Sequence, residues 1–358
     1  MAQRRSVQVA NLNITNFSEE CYLQADFQYG FFTVIYSLVF ILGLPGNALA
    51  LYYLSQRKQR ARSSNVYFMN MSVVDTVFIC LLPLRIYYHN TGNNWVFGDV
   101  ACRITGTLFY ANIYLSIGFF TCVSLDRYIA VVHPLKYLRV KSTHYPLILT
   151  IAIWMICSAI ILPLILGGPL DKAPENSTQT SCFENFSPMI WHNRLLPYNI
   201  CALIFGFLVP FMVVGVLFPV MARRVCRIKT SIHRKVALRI IGFILVVSLI
   251  CFLPYNVTHL LHFIMRLGYI QQCAAARHIY KLRRITLALV SLNSCLNPIL
   301  YFIPYLSREI RAPIVSHTKQ KYVIRDKTQK DKAFCTTTQN HVESGVTILG
   351  AKVEWSVL

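Results

Sequence analysis

Seven stretches of the chain run for the length of a bilayer crossing with almost no charge. Gly30–Leu54 holds no charged residue, Val66–Tyr88 only Asp75 and Arg85, and Ile104–Val132 only Asp126 and Arg127. Tyr145–Leu166, Leu195–Ala222, Ile240–Met265 and Ile285–Leu306 hold no Asp, Glu, Lys or Arg. A helix needs about 20 such residues to span hydrocarbon. The alternating segments of a membrane barrel are absent, and no internal repeat is visible, so the pattern predicts an all-α membrane protein, a bundle of seven transmembrane helices.

Composition agrees. The 358 residues are 55% hydrophobic and only 14% charged, which leaves too little polar surface for a soluble fold. The net charge of +21 does not indicate nucleic acid, because the cations lie between apolar runs. Three connecting segments are basic and free of acids. They carry Arg57, Lys58, Arg60 and Arg62; Lys136, Arg139 and Lys141; and the run from Arg223 to Arg239. The positive-inside rule then predicts an extracellular N-terminus and a cytoplasmic C-terminus. Residues 1–29 lack the apolar core of a signal peptide, so the first span is expected to be its own insertion signal. The sequons at Asn13, Asn16 and Asn176 fall on the expected outer side. Residues 30–306 form the bundle, 307–314 a short amphipathic juxtamembrane helix and 315–358 a disordered cytoplasmic tail.

Polar residues at bilayer depth are expensive and mark function by default. Asp75 is mid-span, with Asn47, Asn112, Ser116, Asn293, Ser294 and Asn297 at comparable depth. Spacing alone leaves two readings open: a pocket for a monovalent cation, or polar glue between helices. Asp126-Arg127-Tyr128 ends the third span as a local, breakable pair. Pro210, Pro254 and Pro298 lie inside spans 5, 6 and 7, where each removes a backbone hydrogen bond and is a hinge candidate.

Taken in order, these residues resemble a known set. Gly46-Asn47, Asp75, Cys102, Asp126-Arg127-Tyr128, Trp154, Pro210, Cys251-Phe252-Leu253-Pro254-Tyr255 and Asn297-Pro298-Ile299-Leu300-Tyr301 follow one another, span by span. The chain resembles a rhodopsin-like (class A) G-protein-coupled receptor from about residue 30 to 311. The resemblance implies a plasma-membrane receptor, not an enzyme, with a heterotrimeric G protein and arrestin as partners. It implies that Arg127 is held by Asp126 at rest, that Phe252 is a toggle beside Pro254, and that Tyr301 swings inward on activation. Asp75, Asn112, Ser116, Asn293 and Asn297 match the family's sodium pocket, the one metal expected. Phe218 and Ser248 depart from the residues usual at those positions, and Arg234 replaces an acid, so no lock from Arg127 to the sixth span is expected.

Cys21, Cys102, Cys182 and Cys273 lie at expected extracellular positions, where three pairings are open. The resemblance selects Cys102–Cys182 and Cys21–Cys273. The second of these is usual in the nucleotide and lysophospholipid branch, and the stretches around Trp95, Tyr110 and Phe183 are similar to that branch.

The far end of spans 6 and 7 breaks the charge rule. Arg266, Arg277, Lys281, Arg283 and Arg284 lie there without an intervening acid. His259, His262 and Arg266 share a helix face by spacing, as do Arg277, Lys281 and Arg284. Arg85 approaches the same mouth from span 2. A solvated loop is one reading. The favoured one is an electropositive vestibule for a small anionic ligand, contacted by Arg85, Tyr110, His259, His262, Arg283 and Arg284. Asn256 after Pro254-Tyr255 resembles lysophosphatidic-acid receptors, which tilts the expectation toward an anionic lipid over a nucleotide. A transporter or channel is the alternative from another class. The C-terminal Ser356-Val357-Leu358 could be captured by a PDZ domain as an added strand. The basic inner face is expected to meet membrane lipid.

Overall fold

The computed structural model describes residues 25–56, 63–133, 136–137, 145–167, 171–172, 180–184, 190–227 and 232–309. Seven helices are long and apolar enough to cross a membrane. They are α1 (Gln28–Ser55), α2 (Ser63–Asn90), α3 (Gly98–Val132), α4 (Tyr145–Leu166), α5 (residues 191–227), α6 (residues 232–266) and α7. The last is made of Cys273–Val290 and Asn293–Glu309. In hydrocarbon every backbone N–H and C=O must be paired within the segment, so apolar runs of this length become helices.

The helices are not equivalent. The most apolar window of α3 is 67% buried and that of α4 only 11%, so α3 is the axis and α4 a peripheral staff. Large apolar side chains such as Ile41, Met155 and Leu166 are exposed, as the lipid face of a bundle requires. Between helices, Trp154 Nε1 donates to Asn70 Oδ1 at 2.9 Å, tying α4 to α2.

The three singled-out prolines each coincide with a distortion. Pro210 and Pro254 follow the π-turns Ile204–Leu208 and Ser248–Phe252. At Gly206, inside the first, an added Cβ would lie 2.2 Å from the Tyr114 ring, so only glycine admits that ring. Pro298 cannot donate to the carbonyl of Ser294, four residues earlier. Asn47 Nδ2 donates to that carbonyl instead, at 2.8 Å, and bridges α1 to α7. A tightened turn at Ser291 and Leu292, with i→i−3 bonds to Ala288 and Leu289, precedes it. Pro45, Pro83 and Pro163 sit in uninterrupted helix.

One boundary differs usefully from expectation. Hydropathy starts the seventh span at Ile285, but the helix begins three turns earlier, at Cys273. Arg277, Lys281, Arg283 and Arg284 lower hydropathy without lowering helix propensity. They are therefore helical residues with fixed faces, not loop cations. At the other end α7 continues to Glu309, so residues 307–309 extend it, and the rest of the expected juxtamembrane helix lies outside the described residues.

A strap crosses one end of the bundle. β1 (Asp171–Lys172) pairs antiparallel with β2 (Ser181–Cys182) in the register Asp171↔Cys182. Cys182 is disulfide-bonded to Cys102 of α3. Cys273 is disulfide-bonded as well; Cys21 and the sequons Asn13, Asn16 and Asn176 lie outside the described residues.

Candidate functional site

Two polar regions lie inside the bundle, and a charged pair lies at its far end. The central cluster is built on Asp75. Asn112 Nδ2 donates to Asp75 Oδ1 at 2.7 Å, Ser294 Oγ to the same oxygen at 2.8 Å, and Asn297 Nδ2 to Oδ2 at 2.7 Å. All four side chains are fully buried. α2, α3 and α7 thus meet on one carboxylate. Ser116 and Asn293 are buried close by in sequence, but neither hydrogen-bonds Asp75. Ser294 does so in place of Asn293, because the tight turn before it rotates the start of the second α7 segment. Buried oxygens of Ser116, Asn293 and Asn297 lack a hydrogen-bond partner. One carboxylate with several neutral oxygens is the kind of ligand set that a hard cation takes.

At the other end of α3, Arg127 Nη2 reaches Asp126 Oδ2 at 2.7 Å. The same nitrogen meets the Ser64 hydroxyl, which itself donates to Asp126 Oδ2 at 2.8 Å. Asp126 is buried, and Ser64 ties the pair to α2. Ser64 carries no signal that sequence reasoning used. Tyr128 packs edge-on to His133. Phe252, within the α6 π-turn, packs edge-on to Phe120 at 5.6 Å between ring centres. Tyr301 lies 5.0 Å from the Phe68 ring.

Below the strap is a cavity of about 190 Å³. Arg85, Tyr110, His259, His262, Arg283 and Arg284, which the sequence gathers from four helices, all line it. So do Arg266 and His89, together with an apolar wall that includes Phe32, Phe109, Leu195 and Leu287. The early start of α7 is what turns Arg283 and Arg284 inward. The spacing stripe is split: Arg284 is buried, while Arg277 and Lys281 are exposed.

The cations of the cavity are used differently. Arg85 stacks over Tyr88 and Trp95, 5.9 Å from each ring centre. Arg266 lies over Trp191 at 5.4 Å. Arg284 Nη1 bonds Glu184 Oε1 at 2.8 Å, and its Nη2 donates to Tyr280 OH at 2.7 Å. Both ring nitrogens of His259 are buried without a hydrogen-bond partner, and its ring stacks on Tyr255. The Nε atoms of Arg85, Arg283 and Arg284 are likewise unpartnered, and among the described residues Arg85, Arg266 and Arg283 are in no ion pair.

Glu184 is the residue that the vestibule reading missed. It was legible only as part of the Cys182-Phe183-Glu184 stretch, because nothing in its neighbourhood in the chain places it against α7. Burial by itself would push its carboxyl up, but Arg284 beside it outweighs this and holds it below the usual carboxylate range. Its other oxygen accepts from Asn93 Nδ2 at 3.4 Å, and Asn93 in turn bonds His89 at 2.7 Å.

The "7 transmembrane receptor (rhodopsin family)" model matches residues 46–301. The chain belongs to that family. It is 33% identical over 296 residues to the human uracil nucleotide/cysteinyl leukotriene receptor, covering 81% of this chain and 78% of that one. Lysophosphatidic acid receptor 6 of Gallus gallus is 32% identical over 290 residues, 80% of this chain and 93% of that receptor. G-protein coupled receptor 183 of Mus musculus is 35% identical over 280 residues, 75% and 76% of the two chains. Membership makes this chain a multi-pass plasma-membrane receptor that couples to a G protein, and not an enzyme. The transporter or channel alternative is set aside on the same ground.

Proposed function

We propose that this receptor binds an extracellular anionic lipid, a lysophospholipid or a close chemical relative, in the cavity below the strap. The observation that carries the reading is the meeting, in one cavity, of an apolar wall with arginines that are in no ion pair among the described residues, namely Arg85, Arg266 and Arg283. An acidic headgroup fits the first and a hydrocarbon chain the second. Two of the relatives are named for acidic lipids, lysophosphatidic acid and cysteinyl leukotrienes. His259 and His262 would face the ligand from α6 and Tyr110 from α3, with the signal leaving through Asp126, Arg127, Phe252 and Tyr301. The orientation follows from the basic segments, with the strap outside and the Arg127 end in the cytoplasm.

The test is ligand-dependent nucleotide exchange on a heterotrimeric G protein by the purified receptor. Lysophosphatidic acids are expected to drive exchange and the matching uncharged monoacylglycerols to be inert. Activity with uridine diphosphate and none with lipids would favour the runner-up, a nucleotide receptor, for which the uracil-nucleotide relative is the supporting observation.

We further read the Asp75 cluster as the seat of an allosteric sodium ion held by Asp75, with Asn112, Ser116, Asn293, Ser294 and Asn297 around it. If sodium occupies only the resting state, raising its concentration lowers agonist affinity, and Asp75→Asn removes that dependence. Arrestin, and a PDZ domain at Ser356-Val357-Leu358, complete the proposed partners; residues 310–358 lie outside the described residues. A C-terminal peptide that binds no member of a PDZ panel would remove the latter.

A further inference from the structure

Four guanidiniums line the cavity, from Arg85, Arg266, Arg283 and Arg284, against one lining carboxylate, Glu184. That carboxylate is held as a fixed charge. Cys182 beside it is bonded to Cys102, and its N–H donates to Tyr88 OH at 3.2 Å. Phe183 adopts a positive φ of 60°, which a bulky residue takes only when its surroundings hold it there. Its ring covers Gly106 so closely that a Cβ there would lie 2.2 Å from it. Glu184 therefore cannot swing aside freely, and the side chain it meets, Arg284, has both terminal nitrogens engaged.

We propose that Glu184 sets the ligand's charge: it makes Arg284 a structural clamp and leaves Arg85, Arg266 and Arg283 to receive the ligand, which favours one acidic group over longer chains of linked phosphates. This rests on the reading of the cavity as an anion site. A single phosphate or carboxylate is satisfied by two guanidiniums. A tripolyphosphate carries more negative charge than these three guanidiniums neutralise, and the excess must either face Glu184 or break its pair. Breaking the pair strands a buried carboxylate, the costly half of any buried ion pair.

The experiment measures thermal protection of the purified receptor by orthophosphate, pyrophosphate and tripolyphosphate at constant ionic strength. The variants are Glu184→Gln, Glu184→Gln/Arg284→Gln and Arg283→Gln. Glu184→Gln frees Arg284 and is expected to tighten tripolyphosphate about tenfold or more, the effect of one added charge-assisted hydrogen bond, with a much smaller gain for orthophosphate. The double variant is expected to return to the parent's ratio, and Arg283→Gln to weaken all three anions. Equal changes for every anion in Glu184→Gln overturn this inference alone. Should that single variant not fold, the double variant decides, because it removes both charges together. A tenfold loss of orthophosphate affinity in it would place Arg284 among the anion contacts and overturn the clamp. No protection of the parent by any of these anions, or protection indifferent to Arg283→Gln, overturns the anion site itself and this inference with it.

Discussion

The Asp75 cluster and the cavity below the strap are both polar interiors in an apolar bundle, yet they are built on opposite plans. Around Asp75 one carboxylate is surrounded by donors, and each of its oxygens is bonded to a neutral side chain. In the cavity cations outnumber acids, and among the described residues three arginines, Arg85, Arg266 and Arg283, are in no ion pair. In the first the charged group is satisfied within the protein and neutral oxygens are left over; in the second it is cations that are left over. A closed network holds helices in register, whereas an incomplete one stores affinity for whatever completes it.

The largest effect expected from this contrast is on stability, at the closed cluster. Asp75→Ala strands the donors of Asn112, Ser294 and Asn297 in the interior. At about 1–3 kcal/mol for each unsatisfied buried group, the loss should reach about 3 kcal/mol or more, read as a fall in unfolding temperature of the purified receptor. A variant as stable as the parent would mean that the cluster is loosely held.

Arg283→Gln should behave the other way round. Agonist affinity should fall about tenfold to a hundredfold, the value of one charge-assisted hydrogen bond, while stability stays level or rises because an unpaired cation is gone. A stability loss comparable to that of Asp75→Ala would erase the distinction between the regions.

The Glu184–Arg284 pair lies between these cases and is sensitive to pH. Because the folded state holds the Glu184 carboxyl below its ordinary value, the pair's contribution is fully present above the unfolded value of about 4.3 and is lost as pH falls below it, through the folded value. Unfolding temperature should therefore drop on acidification through that window. Glu184→Gln/Arg284→Gln should flatten part of the drop. An unchanged profile in the double variant would show that the pair adds nothing.

The smallest effect is expected at Arg277, which is exposed on α7. Arg277→Ala should alter affinity by no more than about 1 kcal/mol, measured beside Arg283→Gln in the same assay. A larger loss would extend the binding surface beyond the cavity.

Much of this was legible in the chain because the bilayer simplifies the problem. Apolar length fixes spans, and a charge inside a span has to be explained, so Asp75, Arg85 and Arg127 stood out at once. Helical spacing likewise grouped His259, His262 and Arg266, which all line the cavity. The differences have a common cause. Hydropathy confuses the end of the apolar run with the end of the helix, so α7 seemed to begin at Ile285. Neither spacing, which treats a helix as regular, nor the resemblance, which set Asn293 in the pocket, shows the turn at Ser291-Leu292 after which Ser294 bonds Asp75 and Asn293 does not.

By itself, then, the sequence determined seven helices, the residues that hydrocarbon cannot tolerate, and the face of each helix on which they lie. These follow from local rules, namely backbone pairing, hydropathy and a 3.6-residue period. The tertiary structure alone decided which polar groups are satisfied by one another and which are left over. Asn47 completes the carbonyl that Pro298 abandons across 247 residues of chain. Glu184 neutralises Arg284, and not Arg283, across 100. Partnership at such separation depends on how whole helices pack and on where a disulfide anchors a loop, and no local pattern encodes either.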